Sequence, residues 1–91
     1  MSLFAIIRSP DAINNDALSS LLLRKYPENV YRLSKGQWVI STPNVQSAQD
    51  LSRDIGVRVD SRYNHTLVVQ VQSYSGLYEE KFWDWIKARS H

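Results

Sequence analysis

The residues that could perform acid–base, nucleophilic or metal chemistry are few and scattered along the chain. It has no cysteine, and its two histidines are His65 and His91. Thiolate sites and disulfide bonds are therefore excluded, and the two imidazoles do not fall at a spacing typical of metal ligands. No serine lies in a G-x-S-x-G turn, and no glycine-rich phosphate loop is present. The sequence predicts no catalytic residues, no metal site and no cofactor.

Three arginines form the candidate contact with nucleic acid. Arg53, Arg58 and Arg62 lie in one polar segment, but aspartates are interleaved with them. The net charge of +2, from 11 basic and 9 acidic residues, is far from the basic excess of dedicated nucleic-acid binders. The pattern favours a solvated mixed-charge loop over a phosphate site. Any binding of nucleic acid should be weak and independent of sequence.

Aromatic residues are concentrated in the C-terminal segment. Phe82, Trp85 and Ile86 fall at i, i+3 and i+4, which places them on one face of a helix. We interpret this face as the part of the helix that closes a small core. Trp83 is displaced from Phe82 by about 100° and is a candidate for contact with a partner.

Length and composition indicate one soluble domain spanning residues 1–91. Apolar residues make up 43% of the chain and charged residues 22%, and no run approaches the roughly 20 apolar residues of a membrane span. Near the N-terminus, Arg8 follows a short apolar run, which is the wrong order for a secretory signal. We therefore expect a cytoplasmic protein that is not inserted in a membrane.

The first part of the chain predicts a strand followed by a helix. Leu3 to Arg8 is an almost continuous run of β-favouring apolar residues, typical of a central strand covered on much of both faces. Apolar residues recur at three- and four-residue spacing from Ile13 to Tyr26, which predicts a helix that Pro27 ends. Ser9 or Asn14 would cap its start.

A hairpin and a second helix are expected next. Val30 to Leu33 and Trp38 to Ser41 are short β-rich runs, and Gly36 between them can adopt the positive backbone angle of a tight turn. Thr42–Pro43 is typical of a helix start. Gly56 is placed to end that helix in the left-handed conformation.

The remaining elements complete a recognisable order. Leu67, Val69 and Val71 alternate with Val68 and Gln70, which predicts a last strand with one apolar and one mixed face. The resulting string is βαββαβ, an α+β ferredoxin-like arrangement, with an added C-terminal aromatic helix. In that arrangement two helices cover one face of a four-stranded antiparallel sheet, and we expect the other face to be open.

An open sheet face predicts self-association. Phe4 and Ile6 on the first strand, with Val68 on the last, would form an exposed apolar patch. Soluble monomers tend to cover such patches, and a homodimer is the simplest cover. Trp83 is a further candidate interface residue.

Several motifs resemble a known family. A valine-rich strand, Val68 to Gln72, precedes Tyr74-Ser75-Gly76 and then Trp83-Asp84-Trp85-Ile86-Lys87, and Gln37 to Thr42 precede an Ala-x-x-Leu helix at Ala48 to Leu51. This pattern resembles the small bacterial ferredoxin-like proteins filed as SinR-like, which are distant relatives of the small CRISPR-associated adaptation protein. The resemblance implies architecture and dimers through strand edges or the open sheet face.

The same resemblance raises the question of nuclease activity. The CRISPR-associated relatives have an acidic residue at the end of the first strand, where two copies hold magnesium. Here Arg8 and Ser9 occupy that position, and the nearest carboxylate is Asp11. Arginine repels a metal ion, so we expect Asp11 to be a helix-start residue. A metal-dependent nuclease with Asp11 or Asp60 as ligand is the alternative.

RNA recognition is a further alternative, because RNA-recognition domains share the βαββαβ order. Their first and third strands carry aromatic residues on which bases stack. Gln37 and Val39 stand where such aromatics are needed, so that Phe4 and Trp38 are the remaining candidates. The leading interpretation is therefore a non-catalytic protein that acts by self-association and by binding another macromolecule.

Overall fold

Strands and helices alternate along most of the chain. A computed structural model describes residues 2–43, 45–58, 60–76 and 78–89. Over these residues the elements are, in chain order, β1 (Ser2–Ile7), α1 (Asn15–Lys25), β2 (Val30–Ser34), β3 (Gln37–Thr42), α2 (Ala48–Asp54), β4 (Leu67–Val71) and α3 (Glu80–Lys87).

The strands form one antiparallel sheet in the order β2-β3-β1-β4. β1 is central, since Phe4 pairs with Ile40 of β3 on one side and with Gln70 of β4 on the other. The fold is therefore α+β, with a four-stranded antiparallel sheet and helices on it, and it is compatible with the predicted ferredoxin-like arrangement. The central position predicted for the first strand is confirmed.

The larger core lies between one face of the sheet and the helices α1 and α2. The even-numbered residues of β1 and β3 point into this core, because successive side chains of a strand face opposite sides. Its fully buried members are Phe4, Ile6, Leu18, Leu22, Trp38, Ile40, Leu51 and Ile55. Burying each of the large apolar side chains contributes about 1.5–3 kcal/mol, so this layer supplies most of the packing energy.

The opposite face of the sheet is covered in part by α3, and it is not open as the sequence led us to expect. Phe82 and Ile86 of α3 are buried against Leu3 of β1 and Val39 of β3. β1 is apolar on both faces, so both sides of the sheet need cover from water. The C-terminal helix provides that cover for the second face.

α1 ends where the sequence predicts and begins later than its first apolar residue. The helix stops at Lys25, with Tyr26 as its C-cap directly before Pro27. Asn14 is the N-cap residue but forms no side-chain cap, since its amide donates to the Arg62 carbonyl at 3.4 Å. Ile13 precedes the helix and is exposed, so its predicted place on the buried face is wrong.

α2 begins at Ala48, five residues after Pro43, the predicted first helical residue, and Thr42, the predicted cap, instead ends β3. Ser47 caps α2, because its Oγ accepts a hydrogen bond from the Asp50 backbone N–H at 3.1 Å. The predicted end is confirmed. Gly56 has a φ of 80°, and its N–H donates to the Arg53 carbonyl, which is the left-handed helix end that glycine favours.

Candidate functional site

The residues predicted to form an exposed apolar patch lie in the interior. Phe4 and Ile6 are 0% exposed beneath α1 and α2, and Val68 is half-buried on the same face. The three side chains lie on one face of the sheet, but α1 and α2 cover that face. Trp38 is also buried in this core, so neither Phe4 nor Trp38 is accessible to a stacked base.

An apolar strip is exposed on the other face, at the β1 and β4 end of the sheet. Ile7 is 38% exposed and Leu67 is 57% exposed, and the two are paired across the strands. Ala5 and Val69 form the neighbouring pair and are half-buried. We call these four residues the β1–β4 strip. Its sequence signal is the apolar side of β4, where Leu67, Val69 and Val71 alternate with Val68 and Gln70.

The strip is exposed because α3 is fixed over the other end of the sheet. Trp85 Nε1 donates to the Glu28 carbonyl at 3.2 Å, and the Arg89 guanidinium donates to the same carbonyl and to Asn29 Oδ1 at 3.3 Å. These acceptors lie in the loop before β2. The helix is therefore held near β2 and β3, and it does not extend over Ile7 and Leu67.

Aromatic rings surround Phe82 where α3 meets the sheet. Its ring centroid lies 5.3 Å from that of Tyr31, 5.6 Å from Tyr78 and 5.3 Å from Trp83. Tyr31 and Tyr78 meet Phe82 edge-on, and each such pair adds about 0.5–1.5 kcal/mol beyond area burial. Trp83, the candidate interface residue, is half-buried and stacks on Tyr74 at 6.2 Å.

A hydrogen bond ties β2 to the start of α3 beside this cluster. The Tyr31 hydroxyl donates to the Glu79 carboxylate, and mainly for this reason the pKa of Tyr31 is raised to about 12. An open cavity of about 610 Å³ lies on the outer side of the cluster. Its lining includes Tyr74, Tyr78, Glu80, Trp83, Asp84 and Lys87.

The three candidate nucleic-acid contacts are on the surface. Arg53 lies in the last turn of α2, and Arg58 and Arg62 lie in the loop between α2 and β4. The Arg62 guanidinium lies over the Tyr63 ring at 5.3 Å. Arg58 and His65 line a cavity of about 340 Å³. The structure thus places Arg58 and Arg62 in one exposed loop, with Arg53 on the helix before it.

Arg8 is the most unusual charged residue, because it is only 6% exposed. Its Nη2 donates to the carbonyls of Ile13 and Asn64, both at 3.4 Å, and its guanidinium lies 5.9 Å from the Tyr63 ring. Among the described residues, its Nε and Nη1 find no partner and no carboxylate forms an ion pair with it. Burial lowers the pKa of Arg8.

The structure offers little support for a metal site at the end of β1. Asp11 and Asp60 are exposed, and α1 begins at Asn15, so Asp11 is not the helix-start residue that we expected. The Asp11 N–H donates to Ser9 Oγ at 3.3 Å in the preceding turn. Within the described ranges, no three histidine, aspartate or glutamate side chains come together as ligands.

Comparison with known proteins places the chain in no family. No protein-family model matches the sequence, and a search of curated proteins finds no match. In the part of the chain that the structure describes, no helix has the length and apolar character needed to cross a membrane.

Proposed function

We propose that this chain is a small, non-catalytic cytoplasmic protein of ferredoxin-like fold that acts by self-association and by binding another macromolecule. The observation that carries the proposal is the β1–β4 strip, in which Ile7 and Leu67 remain exposed on a sheet face that α3 covers only in part. Exposed apolar side chains that adjoin one another on a sheet are typical of surfaces that a partner covers. The resemblance to SinR-like proteins stays a prediction and is consistent with dimers.

The strip alone is too small to hold a stable complex. Stable interfaces bury about 800 Å² per partner, whereas a few aliphatic side chains provide only a fraction of that area. The strip adjoins β4, which lies at the edge of the sheet. The interface therefore includes that strand as well as the exposed side chains, and it centres on β4.

Sedimentation equilibrium of the purified protein between about 1 and 100 μM tests self-association. We expect the mass to rise with concentration from the 10.5 kDa of one chain towards twice that value. A Leu67→Gln variant should raise the dimer Kd at least about tenfold, because it places a polar amide in the apolar contact. A constant monomer mass over the whole range would overturn the proposal.

Leu23→Gln is the matched control for this experiment. Leu23 is 56% exposed on α1, close to the exposed fraction of Leu67, but it lies on the opposite side of the sheet. Equal weakening by the two substitutions would show that general surface hydrophobicity, and not the β1–β4 strip, drives association.

Binding of nucleic acid is the second candidate, favoured by the exposed loop that carries Arg58 and Arg62. Asp54 is engaged by Lys25 and Tyr26, so it is not available to neutralise these arginines. We expect weak binding whose affinity falls steeply with salt. Fluorescence anisotropy with single-stranded RNA should show loss of binding in an Arg58→Gln, Arg62→Gln double variant. Affinity that persists at high salt would contradict this electrostatic account.

The nuclease alternative has a direct test. Cleavage of RNA or DNA on titration with Mg²⁺, abolished by Asp11→Ala or Asp60→Ala, would replace the non-catalytic proposal. We expect no metal-dependent cleavage, because the buried positive charge of Arg8 stands where the resemblance requires an acidic ligand.

A further inference from the structure

The pairing of β1 determines which backbone groups of β4 face outward. The Arg8 N–H donates to the Gly36 carbonyl at 2.7 Å, so the hydrogen-bonding groups at position 8 are directed towards β3. Backbone direction alternates along a strand, and residues 3, 5 and 7 therefore direct theirs towards β4. Their partners are Val71, Val69 and Leu67. The N–H and C=O groups of Val68 and Gln70 must then point away from the sheet.

This outer edge of β4 is unpaired. Across the described residues, no hydrogen bond from a loop, a helix or a side chain reaches the backbone of Val68 or Gln70. Gln70 and Leu67 of this strand are also exposed, which is consistent with an uncovered edge. Unpaired groups of this kind are a template for another strand.

By contrast, the opposite edge of the sheet, strand β2, is protected from pairing. In β2 the Tyr78 hydroxyl donates to the Leu33 carbonyl at 2.6 Å. The pairing of β2 with β3 is irregular between Arg32 and Ser34, and Arg32 adds a charge to the edge. Bulges, charges and covering contacts are the usual means of preventing edge pairing. β4 has none of them over Leu67–Val71.

The sequence of β4 suits a second copy of itself. No charged residue occurs from Thr66 through Tyr78. When a strand pairs with its own copy about a twofold axis, equivalent residues lie close together, and like charges would repel. A neutral strand avoids this repulsion. For a charged peptide partner, the same edge offers no complementary charge.

We propose that β4 pairs antiparallel with β4 of a second copy, about a twofold axis at Val69. This inference rests on the proposed self-association and specifies its geometry. Val68 lies opposite Gln70 of the partner subunit, so that the outward groups form about four hydrogen bonds. Val69 lies opposite its own copy, and Leu67 lies opposite Val71 of the partner subunit. Across the axis Val69 contacts its own copy and Leu67 packs beside Val71 of the partner subunit, which covers part of each β1–β4 strip.

Charge substitution at Val69 tests the position of the axis. Val69→Lys and Val69→Glu should each raise the dimer Kd at least about tenfold, because two like-charged side chains would extend from directly opposed positions whose Cα atoms lie about 4.5 Å apart. Mixing the two variants should restore a dimer containing one copy of each. Val69→Thr keeps β-branching without charge and is the control, which should remain dimeric.

A proline substitution tests the backbone contact. Gln70→Pro removes an N–H that points away from β1, so the sheet within one copy loses no hydrogen bond. Circular dichroism should therefore show a folded protein, and sedimentation should show a monomer. Gln70→Thr keeps the N–H and should associate like the parent. The charge pair at Val69 provides an independent test if the proline variant does not fold.

The outcomes distinguish the two proposals. A dimeric parent whose Val69→Lys and folded Gln70→Pro variants also remain dimeric would overturn edge pairing while self-association stands. Failure of the mixed Val69 variants to form a heterodimer would overturn the axis at Val69. A parent that stays monomeric throughout would overturn both proposals.

Discussion

The carbonyl oxygen of Arg8 occupies the space that a side chain at Gly36 would need. A Cβ built at position 36 would lie 2.4 Å from the Arg8 oxygen and 2.9 Å from the Ser9 oxygen. The sequence suggested that this glycine supplies a positive backbone angle, but the positive angles among the described glycines are at Gly56 and Gly76. Gly36 is required because Arg8 and Ser9, directly after β1, approach the hairpin turn closely.

Gly36→Ala should therefore destabilise the protein by about 2 kcal/mol or more, since the added methyl group meets backbone atoms that cannot move independently. Gly56→Ala is the control. It has open space around the Cβ position but a φ of 80°, so a cost of only about 1 kcal/mol is expected. Urea unfolding of both variants measures the difference, and equal costs would contradict the steric explanation.

Phe82→Ala should lower the free energy of unfolding by about 3–5 kcal/mol, because it removes a buried ring that four other aromatic rings contact. Trp85→Ala should cost less, since Trp85 is only half-buried. Trp83→Ala should be the mildest of the three. Thermal and urea unfolding give the order, and a Phe82→Ala variant as stable as the parent would show that α3 does not close the second core.

Tyr26 and Asp54 should give the stability a pH dependence. The hydrogen bond from the Tyr26 hydroxyl, with Lys25 at 3.3 Å, holds the pKa of Asp54 below its usual value. Burial is the main cause that raises the pKa of Tyr26 well above its usual value. The hydrogen bond to Asp54 and the negative charge of Asp54 raise it further. The contribution of Asp54 is present above about pH 4 and lost as pH falls through its lowered pKa. That of Tyr26 is present below about pH 10 and lost as pH rises towards its raised pKa.

Tyr26→Phe should therefore cost most near neutral pH, and the difference from the parent should shrink in acid and in alkali. The pair is partly exposed and screened, so we expect about 0.5–1.5 kcal/mol at pH 7. Tyr74→Phe, at an exposed ring elsewhere, is the control and should show no such profile. A cost that is the same at every pH would show that the ring and not the hydroxyl matters.

Two substitutions of Arg8 should separate the effect of its charge on stability from the effect of its volume. Arg8→Met keeps a long unbranched side chain and removes a buried charge that no carboxylate in the described residues offsets, so we expect equal or higher stability, by about 1–3 kcal/mol. Arg8→Ala leaves a cavity and should be destabilising. Chemical unfolding compares the two. A large loss with methionine would mean that the guanidinium hydrogen bonds outweigh the cost of its burial.

Local patterns predicted most of the elements. Pro27 and Gly56 end helices through backbone constraints that act within a few residues, and both helix ends are confirmed. Thr42–Pro43 carries an equally good local start signal, yet Thr42 pairs with Ser2 in the sheet. Tertiary hydrogen bonds there outweigh the local preference.

The site was harder to predict, because it depends on where α3 lies. Alternation in β4 places Leu67 and Val69 on one face of the sheet and Val68 on the other. It does not indicate which face two helices cover and which face one helix covers. The contacts that decide this join Trp85 and Arg89 to Glu28, more than fifty residues away in the chain. A single sequence carries no pattern for such a contact.

The central position of β1 has a consequence during synthesis on the ribosome. β1 emerges early, but β4 and α3 come late in the chain, and β1 requires both for its second set of hydrogen bonds and its second apolar cover. Until they emerge, Leu3 and Val39 are apolar surface on a nascent sheet. Such transiently exposed strands are substrates for chaperones. We therefore expect chains truncated before β4 to bind a chaperone rather than to fold.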